Sequence, residues 1–367
     1  MGIIYAKTLD LKQTKPLTEK QFENSRINEQ EALSGQAVLK SYPRRLVLEM
    51  TNACNINCKM CGRNAAEFKP TVFDINWLDT FEPITDRIEE ITLLGWGEPT
   101  LHPQFTEFLK YADNKGLRKF FCTNGMRLDK LKNDIFNYNV DLITISLDGA
   151  NQETNNGIRC GSDFNKIIDD VKDIVKERNR RGISYPYMSF VMTMMQSNFK
   201  QLPDYVRLAK ECGIEEIKGV YLTVFDNSSE DELMTNMQGE LKEVFDETEA
   251  LGDKLGIAVK LPHLQGMDIA GDKPHKDCFV GWRDFFLGSD GIVRSCMSTP
   301  VKLFKIDKYK TFDEMWNSQE YITFRQGVNN SIKMCSACRN CYQASTANWN
   351  KESSFDQRGN IFSPKWD

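Results

Sequence analysis

The chain has 367 residues, 40% hydrophobic and 27% charged, with a net charge of −5. This is the composition of an ordinary globular protein with room for about two domains. No dense basic run suggests a nucleic-acid partner, and no run approaches the roughly 18 apolar residues of a membrane span.

Residues 1–44 are polar and weakly patterned and are read as a short helical or irregular extension. Met1–Lys7 lack the apolar core and cleavage site of a signal peptide. From residue 45 a strand, loop, helix pattern repeats. Strands are expected at Arg45–Met50, Glu90–Leu94, Arg118–Thr123, Asp141–Leu147, Tyr187–Thr193 and Glu216–Thr223, each short and rich in β-branched or aromatic residues. Phe105, Phe108, Leu109 and Ala112 share one helical face, closed by Gly116. Phe164, Ile167, Ile168, Val171, Ile174 and Val175 form a second stripe, and Leu202, Tyr205, Val206 and Ala209 a third, ended by Gly213. These stripes are core. Alternating strands and helices imply a parallel sheet with right-handed crossovers. A longer helix is expected at about 231–256, leading to a loop-rich region at 257–367. The expected division is therefore 1–44, 45–256 and 257–367.

Chemistry-bearing residues fall at the carboxyl ends of these strands, where α/β barrels build active sites. After the first strand comes Cys54-x3-Cys58-x2-Cys61. Three thiolates can hold three irons of a cubane iron–sulfur cluster and leave the fourth iron without a protein ligand. The alternative is zinc, for which Cys-x2-Cys pairs also serve, although no fourth Cys or His follows within the loop. After the second strand comes Gly95-Trp96-Gly97-Glu98-Pro99, after the third Thr123-Asn124-Gly125, and the fourth ends in Ser146-Leu147-Asp148-Gly149. Eleven cysteines, grouped mostly in two motifs, argue for metal rather than a disulfide framework. The expected compartment is a reducing, low-oxygen cytoplasm.

The cysteine loop, with apolar Met60 before its last cysteine, resembles the signature of radical S-adenosylmethionine enzymes. The resemblance implies a partial (β/α)6 barrel, an α/β fold, whose open iron binds the amine and carboxylate of S-adenosylmethionine. Gly95, Gly97 and Glu98 are similar to the family motif that receives the methionine amine; the bland alternative is a glycine turn with a solvated glutamate. Ser146 and Asp148 become candidates for the ribose hydroxyls, or else for a strand-end turn. Arg159 suits the methionine carboxylate, or a surface ion pair. Asn124 shapes its turn and lies near the cofactor, and the strand around Tyr187–Met192 is the expected adenine pocket. Flavodoxin or ferredoxin is the implied electron donor.

Further on, Cys278-x12-Gly291-x4-Cys296 resembles the opening of a SPASM/Twitch auxiliary domain, expected here as a small α+β unit. Asp290-Gly291 suits a hairpin turn. A helix at about Phe312–Trp316 then leads to Cys335-x2-Cys338-x2-Cys341. Four thiolates close one 4Fe–4S cluster. The five cysteines here point to the shorter Twitch form on Cys278, Cys296, Cys335 and Cys338, with Cys341 as a replacement ligand, spare thiol or hydrogen donor. A four-cysteine zinc site is the alternative. Cys122 and Cys212 are expected to be buried apolar residues. Cys160, beside Arg159, is a second candidate hydrogen donor.

A closed auxiliary cluster is useful for electron transfer, which suggests net oxidation. The resemblance supports two outcomes, modification of a ribosomal peptide and the preferred one, oxidation of a small polar metabolite such as an aminocyclitol or sugar. The alternatives are peptide modification, by epimerisation or cross-linking, and a non-catalytic iron–sulfur or zinc scaffold.

Overall fold

Apolar residues at alternate positions, such as Ile143 and Ile145 or Met188, Phe190, Met192 and Met194, give the strands one fully buried face. The computed structural model describes residues 4–6, 16–65, 69–222, 227–234, 236–262, 264, 278–296, 301–330, 332–335, 338 and 355–357. Its strands are β1 (Ile4–Ala6), β2 (Arg45–Leu48), β3 (Asn57–Cys58), β4 (Glu90–Leu93), β5 (Arg118–Thr123), β6 (Leu142–Ser146), β7 (Arg159–Cys160), β8 (Tyr187–Met194), β9 (Glu216–Tyr221), β10 (Ala258–Lys260), β11 (Asp284–Leu287), β12 (Ile292–Arg294), β13 (Lys302–Lys305) and β14 (Phe355–Gln357). The helices are α1 (Glu19–Leu33), α2 (Phe105–Asn114), α3 (Leu128–Asn137), α4 (Gln152–Ile158), α5 (Phe164–Arg180), α6 (Leu202–Cys212), α7 (Gln238–Leu255), α8 (Val280–Arg283), α9 (Phe312–Trp316) and α10 (Gln319–Val328).

A ten-stranded sheet runs in the order β10-β9-β8-β6-β5-β4-β2-β11-β12-β13. The strands from β10 to β11 are all parallel, and β12 and β13 add antiparallel. Successive βα units lie side by side, so right-handed crossovers put their helices on one face and the sheet curls around the other. Phe108, Leu109, Ile167, Val171, Tyr205 and Val206 pack on the outward strand residues in one apolar core. The six expected strands are present and in order.

Two edges differ from expectation. β10 extends one side of the barrel, and β11, from the region beyond 257, pairs in parallel with β2, so that Phe286 lies beside Val47. The expected boundary at 257 thus falls inside one sheet. Phe285 of β11 stacks among Phe312, Trp316 and Tyr321, at centroid distances of 5.0, 6.3 and 6.1 Å. That aromatic cluster fixes α9 and α10 behind the sheet. The hairpin expected at Asp290-Gly291 joins β11 to β12, with Gly291 at φ +73°.

α1, in the expected extension, starts with a capping box between Thr18 and Gln21. It docks through amides rather than apolar residues: Gln21 donates to the Ile88 carbonyl (2.7 Å) and Asn28 to that of Trp282 (2.7 Å). The long helix begins at Gln238, later than expected, after a 3-10 turn at Asn227–Glu232. Among the described residues, no helix is long and apolar enough to cross a membrane.

Candidate active site

The cysteine loop leaves the carboxyl end of β2 and is clamped on both sides. On one side β3 pairs antiparallel with β7, placing Cys58 opposite Arg159 and Asn57 opposite Cys160. The Lys59 amide adds a bond to the Ile158 carbonyl (3.0 Å). On the other side the Glu98 amide donates to the Ala53 carbonyl (2.8 Å). Gly97 lies so close beneath the loop that a Cβ there would sit 2.3 Å from the carbonyl oxygens of Thr51 and Ala53. Gly95 is likewise filled by the Glu49 side chain. Both glycines are therefore demanded by packing against neighbouring protein.

Cys54, Cys58 and Cys61 are all half-buried free thiols. Burial pushes the Cys58 thiol up to about 12, opposed by Arg159 and reinforced by Asp148, Cys61 and Cys54. The last two causes place the Cys54 and Cys61 sulfurs within electrostatic reach of Cys58. Among the described residues, no three Cys, His, Asp or Glu side chains are grouped so as to hold a single metal ion. A cubane, which gives each sulfur its own iron, suits three converging but separate thiols. Two donors face these sulfurs: Asn124 Nδ2 is 3.7 Å from Cys54 Sγ, and Arg159 Nη1 is 3.8 Å from Cys58 Sγ. Such bonds stabilise sulfur-borne negative charge.

Glu98 is 2% exposed. Its Oε1 accepts from the Thr100 amide (3.2 Å), Thr100 Oγ1 (2.7 Å) and Thr123 Oγ1 (2.7 Å), while Oε2 accepts from the Asn124 amide (2.7 Å). Oε1 thus carries three donors and Oε2 one, so Oε2 is the oxygen with acceptor capacity to spare. Burial raises the Glu98 carboxyl against these bonds. The glutamate thus braces the ends of β4 and β5 and is not a solvated turn residue.

Asp148 departs from the expected ribose contact. It is fully buried: Oδ1 accepts from the Thr193 amide (2.7 Å), and Oδ2 lies 2.7 Å from Arg159 Nε, although that N–H is not aimed along the contact. Its carboxylate serves the barrel rim. Arg159 is likewise not a surface residue; it is 8% exposed and bridges Asp148 and Cys58. Ser146 stays half-buried and inward, with its Oγ 3.5 Å from Cys122 Sγ. Cys122 is therefore not the expected core residue, because the phase of β5 turns it away from Phe121; Cys212 is buried as expected. Cys160 is half-exposed, its thiol 3.7 Å from the Gly157 carbonyl.

Sequence reasoning did not identify the apolar patch beside the loop. Ile158, Met195 and Leu222 form a cluster separate from the main core, with Met60 packed on it. A cleft of about 460 Å³ runs along it, lined in part by Met60, Gly157, Ile158, Met195 and Ser197. This lies past the end of the strand expected to supply the adenine pocket. Asn198 closes that turn: it donates to the Asp148 and Thr193 carbonyls and accepts from the Met195 amide. Glu49 was also missed, since nothing near it in sequence marks its partners.

The second cysteine group gathers beyond β12. Cys338 is buried, and burial together with Cys335, Cys278 and Cys296 raises its thiol. The Cys278, Cys296 and Cys335 sulfurs therefore lie within electrostatic range of Cys338. Cys341 lies outside the described residues.

The profile of the Radical SAM superfamily matches residues 48–235, and that of the SPASM iron–sulfur cluster-binding domain matches 278–342. The chain is 24% identical over 342 residues to the tungsten-containing aldehyde ferredoxin oxidoreductase cofactor-modifying protein of Pyrococcus furiosus, covering 86% of this chain and 92% of that one. It is 24% identical over 350 residues to the AdoMet-dependent heme synthase of Methanosarcina barkeri, covering 84% and 95%. Streptococcus suis SuiB bound to S-adenosylmethionine shares the fold, with a TM-score of 0.63 at 14% identity over 91% of this chain and 80% of that one.

Proposed function

The chain belongs to the radical SAM superfamily and carries a SPASM iron–sulfur domain, and on that premise we propose that it oxidises a small polar metabolite. Membership brings a 4Fe–4S cluster, S-adenosylmethionine and an auxiliary iron–sulfur cluster. Together the first two supply a 5′-deoxyadenosyl radical able to take hydrogen from unactivated carbon.

We assign the first cluster to Cys54, Cys58 and Cys61. Asn124 and Arg159 orient two of these sulfurs and stabilise their charge. The spare acceptor capacity of Glu98 Oε2 suits the methionine ammonium, whose charge would offset the burial of that carboxylate. Ser146 retains a role toward the ribose, and Met60, Ile158 and Met195 offer an apolar seat for the adenine. The carboxylate partner is Arg159, held by Asp148. Cys278, Cys296, Cys335 and Cys338 hold the auxiliary cluster, so residues 45–256 serve the radical and residues 257–367 the electron transfer.

The observation that supports the oxidative half is that Cys278, Cys296 and Cys335 lie in electrostatic range of the buried Cys338. Four thiolates leave no open iron, so that site suits an electron acceptor better than a substrate ligand. The small-molecule half is supported by the two relatives matched along nearly their whole length, which by name modify a cofactor and synthesise heme. Peptide modification is the alternative reading.

The test is anaerobic reduction of the reconstituted protein with S-adenosylmethionine, read as 5′-deoxyadenosine. Wild type should release it, Cys58→Ala should not, and Cys296→Ala should still do so while failing to oxidise substrate. Iron should fall from about eight per chain to about four in Cys296→Ala. Deoxyadenosine from Cys58→Ala would overturn the assignment of the first cluster.

A further inference from the structure

The inner face of the barrel is polar, and short side chains leave it open. In-register parallel pairs place Cys122 beside Thr144, Thr144 beside Ser189, Ser146 beside Val191 and Val191 beside Lys218. These side chains face inward, while Phe121, Ile143, Ile145, Phe190 and Ile217, all 0% exposed, face the helices. Cys122, Thr144, Ser146, Val191, Thr193, Lys218 and Val220 all remain half-buried, so they do not close on one another. A filled α/β barrel carries bulky branched side chains in these layers.

The floor of this chamber is electrically balanced. At the amino ends of the strands Arg45 pairs with Asp284 (2.8 Å) and approaches Glu90 (3.8 Å). Thr144 and Ser189 satisfy each other at 2.8 Å. Lys218, above them, makes no ion pair or hydrogen bond with any described residue. Burial lowers its ammonium, with Glu216 and Cys122 in electrostatic range but not in contact. A half-buried cation with no contact partner among the described residues loses hydration that nothing in contact replaces. That cost is offset when a ligand brings the counter-charge.

We propose that Lys218 anchors an anionic oxygen group of the substrate, a carboxylate or a phosphate, inside the barrel beneath the cysteine loop. Val191, level with Lys218, lies two residues below Thr193, which marks the rim through its bond to Asp148. At about 3.3 Å per residue the anchor sits about 7 Å below the rim. The remainder of a small substrate therefore extends upward to the place where hydrogen is taken. This rests on the radical reading above and narrows its substrate to an acidic small molecule.

The experiment is calorimetric titration of the anaerobically reconstituted holoenzyme, with S-adenosylmethionine present, by sodium pyrophosphate and separately by sodium glutarate at matched ionic strength. One of the two should bind once per chain, which also tells phosphate from carboxylate. Lys218→Gln should weaken that binding at least about tenfold, and Lys218→Arg should restore it. In the unsubstituted protein, acetylation of Lys218 by a succinimidyl ester, read by peptide mass spectrometry, should slow when that anion is bound. Binding of neither anion to wild type, equal binding to Lys218→Gln, or an unchanged acetylation rate each overturns the proposal. Deoxyadenosine is measured on the same wild-type batch. Its absence beside intact anion binding would sink the radical reading and leave the anion site standing.

Discussion

Glu49 and Ser289 are 240 residues apart in sequence and joined by two hydrogen bonds, from the Ser289 amide (3.1 Å) and hydroxyl (2.9 Å) to Glu49 Oε2. The other oxygen, Oε1, accepts from the Trp96 amide (2.9 Å). Ser289 Oγ also meets Thr71 Oγ1 at 2.7 Å, and Thr71 is bonded to Asn52 at the root of the cysteine loop. One carboxylate thus ties the hairpin of the SPASM region to the glycine loop of the barrel. Glu49→Ala removes the acceptor of two amides, Ser289 and Trp96, each costing about 1–3 kcal/mol where it stays unmet, while the Ser289 hydroxyl can still turn to Thr71. Ser289→Ala removes one hydroxyl and should cost about 1 kcal/mol. Anaerobic urea unfolding of both variants should rank Glu49→Ala well below Ser289→Ala. Equal midpoints would mean that the bridge carries no stability.

Asp148 and Arg159 make a separate case, because their pairing is buried. Burial raises the Asp148 carboxyl even with Arg159 beside it, whereas Asp148 and Cys58 keep the Arg159 guanidinium firmly charged against the same burial. Breaking one side should still be expensive. Asp148→Asn can keep the Thr193 bond but leaves the guanidinium uncompensated, at about 3–5 kcal/mol. Arg159→Met leaves the carboxylate uncompensated at similar cost. The double variant should lose clearly less than the sum, with a coupling of about 1–3 kcal/mol. Urea midpoints of the four proteins measure this, and additive costs would show that the ion pair is not coupled.

Much of this site is legible locally. Cys54, Cys58, Cys61, Gly97, Glu98 and Asn124 stand out because strand ends are marked by a break in the period-2 pattern, and the motifs fall at those breaks. Asp148 has a position the sequence reveals and a role it conceals, because an acidic residue at a strand end looks the same whether it faces ligand or Arg159. Glu49, Asn198 and Lys218 are silent because their meaning lies in partners brought by register or long connections. The parallel pairing of β11 with β2 is hidden for the same reason. Four residues, Asp284–Leu287, read equally well as the first arm of a local hairpin, which they also are.

Gly97 tests the packing of the cysteine loop. A methyl group added there meets backbone carbonyl oxygens, which cannot rotate aside as a side-chain tip can. Gly97→Ala should therefore lift the loop, costing about 1–3 kcal/mol or more, and lower the iron retained after reconstitution. Gly239→Ala in α7, where nothing lies within 4 Å, should be neutral or slightly stabilising. Iron content and thermal midpoints of the two variants provide the comparison. Full iron loading in Gly97→Ala would show that the loop tolerates displacement.

His102 gives the fold a pH dependence whose sign can be worked out. The ring is 4% exposed, with Nε2 2.9 Å from the Phe73 carbonyl and Nδ1 accepting from the Gln104 amide at 3.1 Å. That pair of bonds requires neutral imidazole, with the proton on Nε2. Burial lowers the folded value below 6.5, although the Phe73 carbonyl works the other way. Below about pH 6.5 the unfolded chain takes up a proton that the folded chain resists, and stability falls with pH in that range. The loss continues until pH passes the folded value, beyond which this residue adds no further slope. Protonation also deprives the Gln104 amide of its acceptor at the start of α2. His102→Gln, whose side chain titrates in neither state, should flatten the dependence of the unfolding midpoint between about pH 7 and 5. An unchanged slope in that variant would assign the titration to other groups.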